Sequence, residues 1–273
     1  MTTTPQQVDD RELKAKHRGM WALGDYASVA REVVAGVGPA LVDATGVGSG
    51  DRVLDIAAGS GNASIPAARA GAEVVATDLT PELLAVGEAE ADDLSITWEE
   101  ADAEALPYED GSFDAVISAI GVMFAPHHQT AADELLRVCR QGGRIGVLSW
   151  TPEGFIGQMF ATMKPYAPPP PAGVQPPPLW GSEDHVRELF GDRVKDLTMT
   201  RRSLKVASFG SPTEFREYFK DRYGPTIAVY RFNAEDPEKT AALDRDLDAL
   251  AERFAEGDGS MEWEYLLVTA RRS

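Results

Sequence analysis

The chain predicts an α/β fold, a mostly parallel sheet with helices on both faces. Three observations predict it. From Arg52 to Trp150, short apolar runs rich in Val and Ile alternate with helical patterns. Such alternation builds βαβ units with right-handed crossovers. The first run ends in "VLDIAAGSGNAS", where an acid and two glycines lead from strand to helix. Finally, 273 residues with 43% hydrophobic composition suffice for one large core with elaborations.

The elements follow in order. Residues 1–10 are polar and are expected to fray. A mixed-charge helix is predicted from Arg11 to Ala22. Val29, Val33, Val34, Val37, Leu41 and Val42 recur at helical spacing, with a kink expected at Gly38-Pro39. "GDRVLDIAAG" is a buried strand and "ASIPAARAGA" a short helix. "EVVATDLT" is a second strand, and "PELLAVGEAEAD" a helix with Pro81 in its first turn. A short third strand ends near Asp102, and Phe113 to Ala119 form a fourth. "HHQTAADELLRVCRQGG" reads as a helix closed by Gly142-Gly143, with Cys139 on its apolar side. "RIGVLSW" is the next strand. The proline-rich "YAPPPPAGVQPPPLWG" can be neither helix nor central strand. It reads as a stiff surface connector, or as a pocket wall flanked by Tyr166 and Trp180. "SEDHVRELFG" is a helix with Ser182 as N-cap, and "VKDLTMTRRSLKVASF" one or two antiparallel strands. "SPTEFREYFKDRYG" and "DPEKTAALDRDLDALAERFAEG" are helices, and "MEWEYLLVTARR" is a final strand.

Lys plus Arg is 26 against 44 Asp plus Glu, a net charge of −18. That surface disfavours nucleic acid and anionic membranes as partners. No apolar run reaches the roughly 20 residues of a membrane span. The polar N-terminus carries no secretory core, so a cytoplasmic location is expected. One cysteine excludes an internal disulfide and a multi-cysteine metal site. No metal site is expected, and a homodimer is left open.

Ligands of such sheets bind beyond the carboxyl ends of the strands, where the glycine turn lies. Two cofactor classes sit above such turns. A dinucleotide fingerprint needs G-x-G-x-x-G; Gly59 and Gly61 supply two positions, but Ser64 holds the third. Asp55, four residues before Gly59, would repel a pyrophosphate but suits an ammonium or a bridging water. Asp78 ends the second strand, where a carboxylate can accept two ribose hydroxyls. Asp102 follows the third, where an adenine amine needs an acceptor. Ammonium, ribose and adenine are the polar parts of S-adenosylmethionine (SAM).

"VLDIAAGSGNAS", "VVATDLTPELL", "ADAEALPYEDGSFDAVIS" and "ELLRVCRQGGRIGVLSW" occur in order. Together, over residues 25–150, they resemble the class I SAM-dependent methyltransferases, especially the small-molecule group of ubiquinone and menaquinone biosynthesis. The resemblance implies a Rossmann-like seven-stranded sheet, mostly parallel, with an antiparallel final strand. It implies a helical lid over residues 1–25, a SAM-binding core over 26–150, and a substrate-pocket region over 151–273. The family pattern D-x-G-x-G-x-G falls on Asp55, Ala57, Gly59 and Gly61, so alanine replaces the first glycine. Ser60 offers a hydroxyl to the SAM carboxylate. Asp78 matches the ribose acid and Leu79 the apolar residue beside adenine. Asp102 and Ala103 match the adenine contact, and Ser118 and Ala119 the backbone facing the methyl donor. Trp21 and Tyr26 would sit in the lid; each reads equally as a core aromatic. S-adenosylhomocysteine (SAH) would be the product.

The implied reaction is methyl transfer to O, N or C of a small acceptor. The fourth strand runs into "SAIGVMF" rather than an Asn- or Asp-Pro-Pro-aromatic clamp, which points away from exocyclic amines of bases. An uncharged or aromatic acceptor is expected. His127 is a weak candidate base; alternatively one of His127 and His128 caps the following helix and the other is solvated. Tyr166, Tyr218, Tyr223 and Tyr230 could line a pocket. The rival readings are an NAD-dependent oxidoreductase and a SAM-binding protein without methyl transfer, such as a repurposed cyclase or binding module.

Overall fold

The computed structural model describes residues 10–273. The frayed start expected from the sequence falls mostly on residues 1–9, outside the described residues; Asp10 already belongs to the first helix. Seven strands form one sheet: β1 Arg52–Ile56, β2 Glu73–Asp78, β3 Ile96–Glu100, β4 Phe113–Ala119, β5 Cys139–Trp150, β6 Val194–Val206 and β7 Met261–Arg272. Their order is β3-β2-β1-β4-β5-β7-β6. The β1, β2, β3, β4 and β5 ladders are parallel. The final strand β7 runs antiparallel between β5 and β6. This is the mostly parallel sheet with an antiparallel final strand that the sequence implied.

The centre reads as an apolar run because both faces are covered. Val53, Leu54, Val116 and Ile117 have no exposed surface. Among the described residues the eleven helices are α1 Asp10–Trp21, α2 Tyr26–Glu32, α3 Val37–Thr45, α4 Ser64–Arg69, α5 Pro81–Glu90, α6 His128–Val138, α7 Phe155–Met163, α8 Glu183–Phe190, α9 Pro212–Arg222, α10 Gly224–Phe232 and α11 Pro237–Phe254. None is long and apolar enough to cross a membrane. Strand order reverses between β1 and β4, so the crevice above their carboxyl ends is the switch point where such sheets take ligands.

Three expectations change. The valine-rich stretch is two helices, α2 and α3; the break falls before Gly38, and Pro39 sits in the first turn of α3. Gly38 serves a close approach instead, since a Cβ there would lie 1.8 Å from the Asn62 carbonyl oxygen. Helix α6 ends at Val138, and Cys139 opens β5 opposite Phe113. Gly142 and Gly143 therefore lie within a strand rather than closing a helix. Residues 224–232 form α10, which the sequence reading missed. Pro225 opens that helix in its first turn. Segment 194–206, expected as one or two strands, is one long strand, β6.

The proline-rich segment is a connector. Its 3₁₀ turn, Pro177–Gly181, buries Trp180 between His128 and Phe190, at ring distances of 5.9 and 6.3 Å. The Tyr166 hydroxyl donates to Asp246 of α11 at 2.5 Å. The segment packs beside α6 and α8, and its residues do not line the cavity described below.

Candidate functional site

A cavity of about 870 Å³, open to solvent, lies above the carboxyl ends of β1, β2 and β4. Its floor is the turn after β1. The Ala58 amide donates to the Thr77 carbonyl at 2.8 Å, and the Gly61 amide to the Ala58 carbonyl at 2.9 Å. Ala57, Gly59 and Gly61 all have positive φ, of 53°, 57° and 89°. Ala57 thus occupies a conformation that favours glycine, at a cost of about 1 kcal/mol. Its carbonyl and methyl also press on Gly121, where a Cβ would lie 1.9 and 2.7 Å from them. Replacing Ala57 by glycine is expected to raise unfolding stability by about 1 kcal/mol in urea titrations; a loss would show that the methyl fills needed space.

Asp78 ends β2 and reaches under this turn. One carboxylate oxygen accepts from the Gly59 amide at 2.8 Å and the other from the Thr80 amide at 2.8 Å. Burial pushes its pKa up, while those amides draw it back. The Thr80 hydroxyl and the Leu79 amide also draw it down, and the residue lines the cavity.

Ten of the residues expected from the sequence line the cavity: Trp21, Tyr26, Ala57, Gly59, Ser60, Asp78, Leu79, Asp102, Ala103 and Ala119. Three do not. Asp55 lies behind the floor, with 1% of its surface exposed. One of its oxygens accepts from the Ser64 hydroxyl at 2.6 Å and the other has no partner. Burial raises its pKa to about 7; Ser64 opposes that and the Asp78 charge adds to it. Ser64, which breaks the dinucleotide pattern, is therefore the support of Asp55. Gly61 is buried against β3 instead, where a Cβ would lie 2.6 Å from Trp98. The Ser118 hydroxyl donates to the Ile56 carbonyl at 2.7 Å and accepts from the Val122 amide at 3.0 Å, tying β4 to β1 and the next turn.

The roof is α1. Lys14, His17 and Trp21 fall at i, i+3 and i+7 and all line the cavity. Trp21 meets Phe124 edge-on at 4.7 Å, Tyr26 at 5.3 Å and Tyr223 at 5.8 Å. Lys14 and His17 were missed in the sequence. Their spacing was visible, but the helix is polar apart from this face, and nothing local says what it covers. Burial lowers the His17 pKa, so its imidazole is neutral at pH 7. Burial raises that of Tyr26 to about 12, with the nearby Asp78 charge adding to the shift.

His127 does not line the cavity. It is the N-cap residue of α6 without a side-chain cap bond, and its Nε2 lies 3.2 Å from Asp10. His128 is fully buried, not solvated, with Nδ1 2.9 Å from Nε2 of His185. Burial, with His185 alongside, takes its pKa down to about 4. Tyr218 and Tyr230 donate to Glu32 and Asp244 at 2.8 and 2.6 Å, and Tyr223 is buried behind Trp21. None of the four candidate tyrosines lines the cavity. Among the described residues, Asp10, Glu104 and His127 approach closely enough to hold a metal ion. The Lys14 ammonium is already paired with both of those acids.

Comparison with known proteins agrees with this arrangement. A family profile described as "Methyltransferase domain" matches residues 54–147. An uncharacterised protein of Mycobacterium tuberculosis is 57% identical over 258 residues, 94% of each chain. The demethylmenaquinone methyltransferase of Renibacterium salmoninarum is 41% identical over 111 residues, 41% of this chain and 46% of that one. Among solved structures, the YcgJ protein of Bacillus subtilis superposes with a TM-score of 0.58 at 17% identity, covering 86% of this chain and 97% of that one. From the ordered motifs, the switch-point cavity and these relatives, the chain belongs to the class I SAM-dependent methyltransferases.

Proposed function

We propose that this chain transfers the methyl group of SAM to a small, uncharged, aromatic acceptor. The observation that carries the reading is Asp78: a buried carboxylate at the end of β2 that is held by two backbone amides and lines the cavity. That is a diol acceptor rather than a phosphate cradle, because a second negative group there would be repelled. Asp55, behind the floor, does not reach the cavity, so its charge would act on the ammonium of the same cofactor only through space. Asp102, Leu79 and Ala103 line the remaining wall as an adenine seat.

Bound there, SAM would supply a methyl carbon already activated on a sulfonium. The chain's own residues then need to align an acceptor and exclude water. Trp21, Tyr26, Phe124 and Pro126 form an apolar, largely aromatic wall. Such a wall favours a flat neutral molecule and leaves a charged one without a partner. An acceptor that loses a proton needs a base. In the cavity, Lys14 is held as an ammonium by three acids, and Asp78 and Asp102 are engaged by backbone amides. His17 is neutral, has no hydrogen-bond partner among the described residues, and takes that role in place of His127.

Calorimetric titration with SAH, followed by mass spectrometry of acceptor panels with SAM, tests the proposal. Micromolar binding of SAH and methylation of planar phenols or quinols are expected. No SAH binding at high micromolar concentration would overturn the cofactor assignment. Transfer only to charged amines would overturn the acceptor class.

A further inference from the structure

Lys14 belongs to none of the motifs and sits on the roof helix, yet it reaches the adenine side of the cavity. Its ammonium lies 2.8 Å from Asp10, 2.6 Å from Asp102 and 2.9 Å from Glu104. We propose that Lys14 is a positioning residue that holds the Asp102 carboxylate for the exocyclic amine of adenine, so the adenine seat is complete only with α1 docked. The assignment rests on the cofactor reading above.

Each Asp102 oxygen has one fixed partner. Oδ1 accepts from the Glu104 amide at 2.9 Å, and Oδ2 receives Lys14. A carboxylate oxygen has two lone-pair directions, so each keeps one for a ligand donor. Glu104 is equally fixed: its side chain is 3% exposed, and Oε1 accepts from the His127 amide at 2.6 Å. Burial works against the Lys14 charge, but bonds to the three acids raise its pKa well above the ordinary value. Without that ammonium, three carboxylates would crowd one rim and repel. The Asp102 side chain is 24% exposed, against 3% for Glu104, so it is the freer of the two to turn towards water. Adenine would then lose its acceptor while the rest of the cavity stayed intact. Arg18 provides a contrast. It also ties α1 to the rim, through Glu100 at 2.8 Å, but is not paired with Asp102.

The test is calorimetric affinity for SAH and for its 6-deamino analogue, with hydrogen in place of the exocyclic amine. The wild-type chain should prefer SAH by about tenfold or more, the scale of one charge-assisted hydrogen bond. In Lys14→Met, SAH affinity should fall about tenfold while analogue affinity stays within about twofold, so the preference disappears. Lys14→Arg should restore most of it. Arg18→Ala should keep the preference, because it loosens the helix without freeing Asp102. Equal losses for both ligands in Lys14→Met, or an unchanged preference, would overturn the assignment. A wild-type chain that binds neither ligand would overturn the cofactor reading and this assignment with it. Binding without any preference for SAH would overturn this assignment alone.

Discussion

Replacing Asp78 by alanine is expected to weaken SAH binding by about a hundredfold or more. Each charge-assisted bond from a ribose hydroxyl contributes about 1.5–3 kcal/mol, and two are lost together. The floor also loosens, since the Gly59 and Thr80 amides lose their common acceptor. Asp78→Asn keeps one acceptor oxygen but turns a donor towards one of those amides, so it should recover little. Calorimetry on both variants, with circular dichroism to confirm folding, reads the effect. Affinity within about threefold of wild type would show that the ribose does not sit on Asp78.

Asp55→Asn is expected to move stability and binding in opposite directions. Asp55 has a folded-state pKa of about 7, against roughly 3.9 in an unfolded chain. Below pH ~4 it is protonated in both states and the difference vanishes. Between about pH 4 and 7 the folded chain keeps a proton that the unfolded chain releases. Stability therefore falls as pH rises through this window, by at most about 4 kcal/mol from this group. Asp78, also raised, adds to the same slope. Asparagine at 55 carries no charge to bury, though its amide donor goes unpartnered at a cost of about 1–3 kcal/mol. Thermal melts without ligand should thus show a flatter pH profile for the variant, and a higher midpoint than wild type at pH 8. Its SAH affinity should fall modestly, because the ammonium loses the field of a negative charge behind the floor. Proton release on binding, read by calorimetry in two buffers of different ionisation enthalpy, should also shrink. A variant with the wild-type pH slope would refute the buried-charge account of Asp55.

Parts of this molecule lie open in the sequence because the cause is local. The strands β1, β2, β4 and β5 announce themselves as apolar runs, since both faces of a parallel sheet are covered. The turn after β1 shows its glycines because positive φ excludes most other residues. Asp78 and Asp102 are visible by where their strands end. Even the departure at Ala57 could be seen beforehand, although only the coordinates show it bearing left-handed backbone.

What the sequence by itself determined was the sheet, the switch point and the set of acids around it. The tertiary structure decided which of those residues face the cavity and what covers it. Asp55 looked like a ligand contact, but the turn folds over it and leaves it behind the floor. His127 looked like a base, but α6 begins in a direction that aims its ring at Asp10. Lys14 and His17 belonged to an unremarked mixed-charge helix, but α1 docks across the mouth of the crevice. The physical reason is the same in each case. Strand and turn patterns are written by neighbours a few residues apart, whereas the roof joins segments some ninety residues apart in the chain, Lys14 with Asp102. Only the folded chain brings such pairs together.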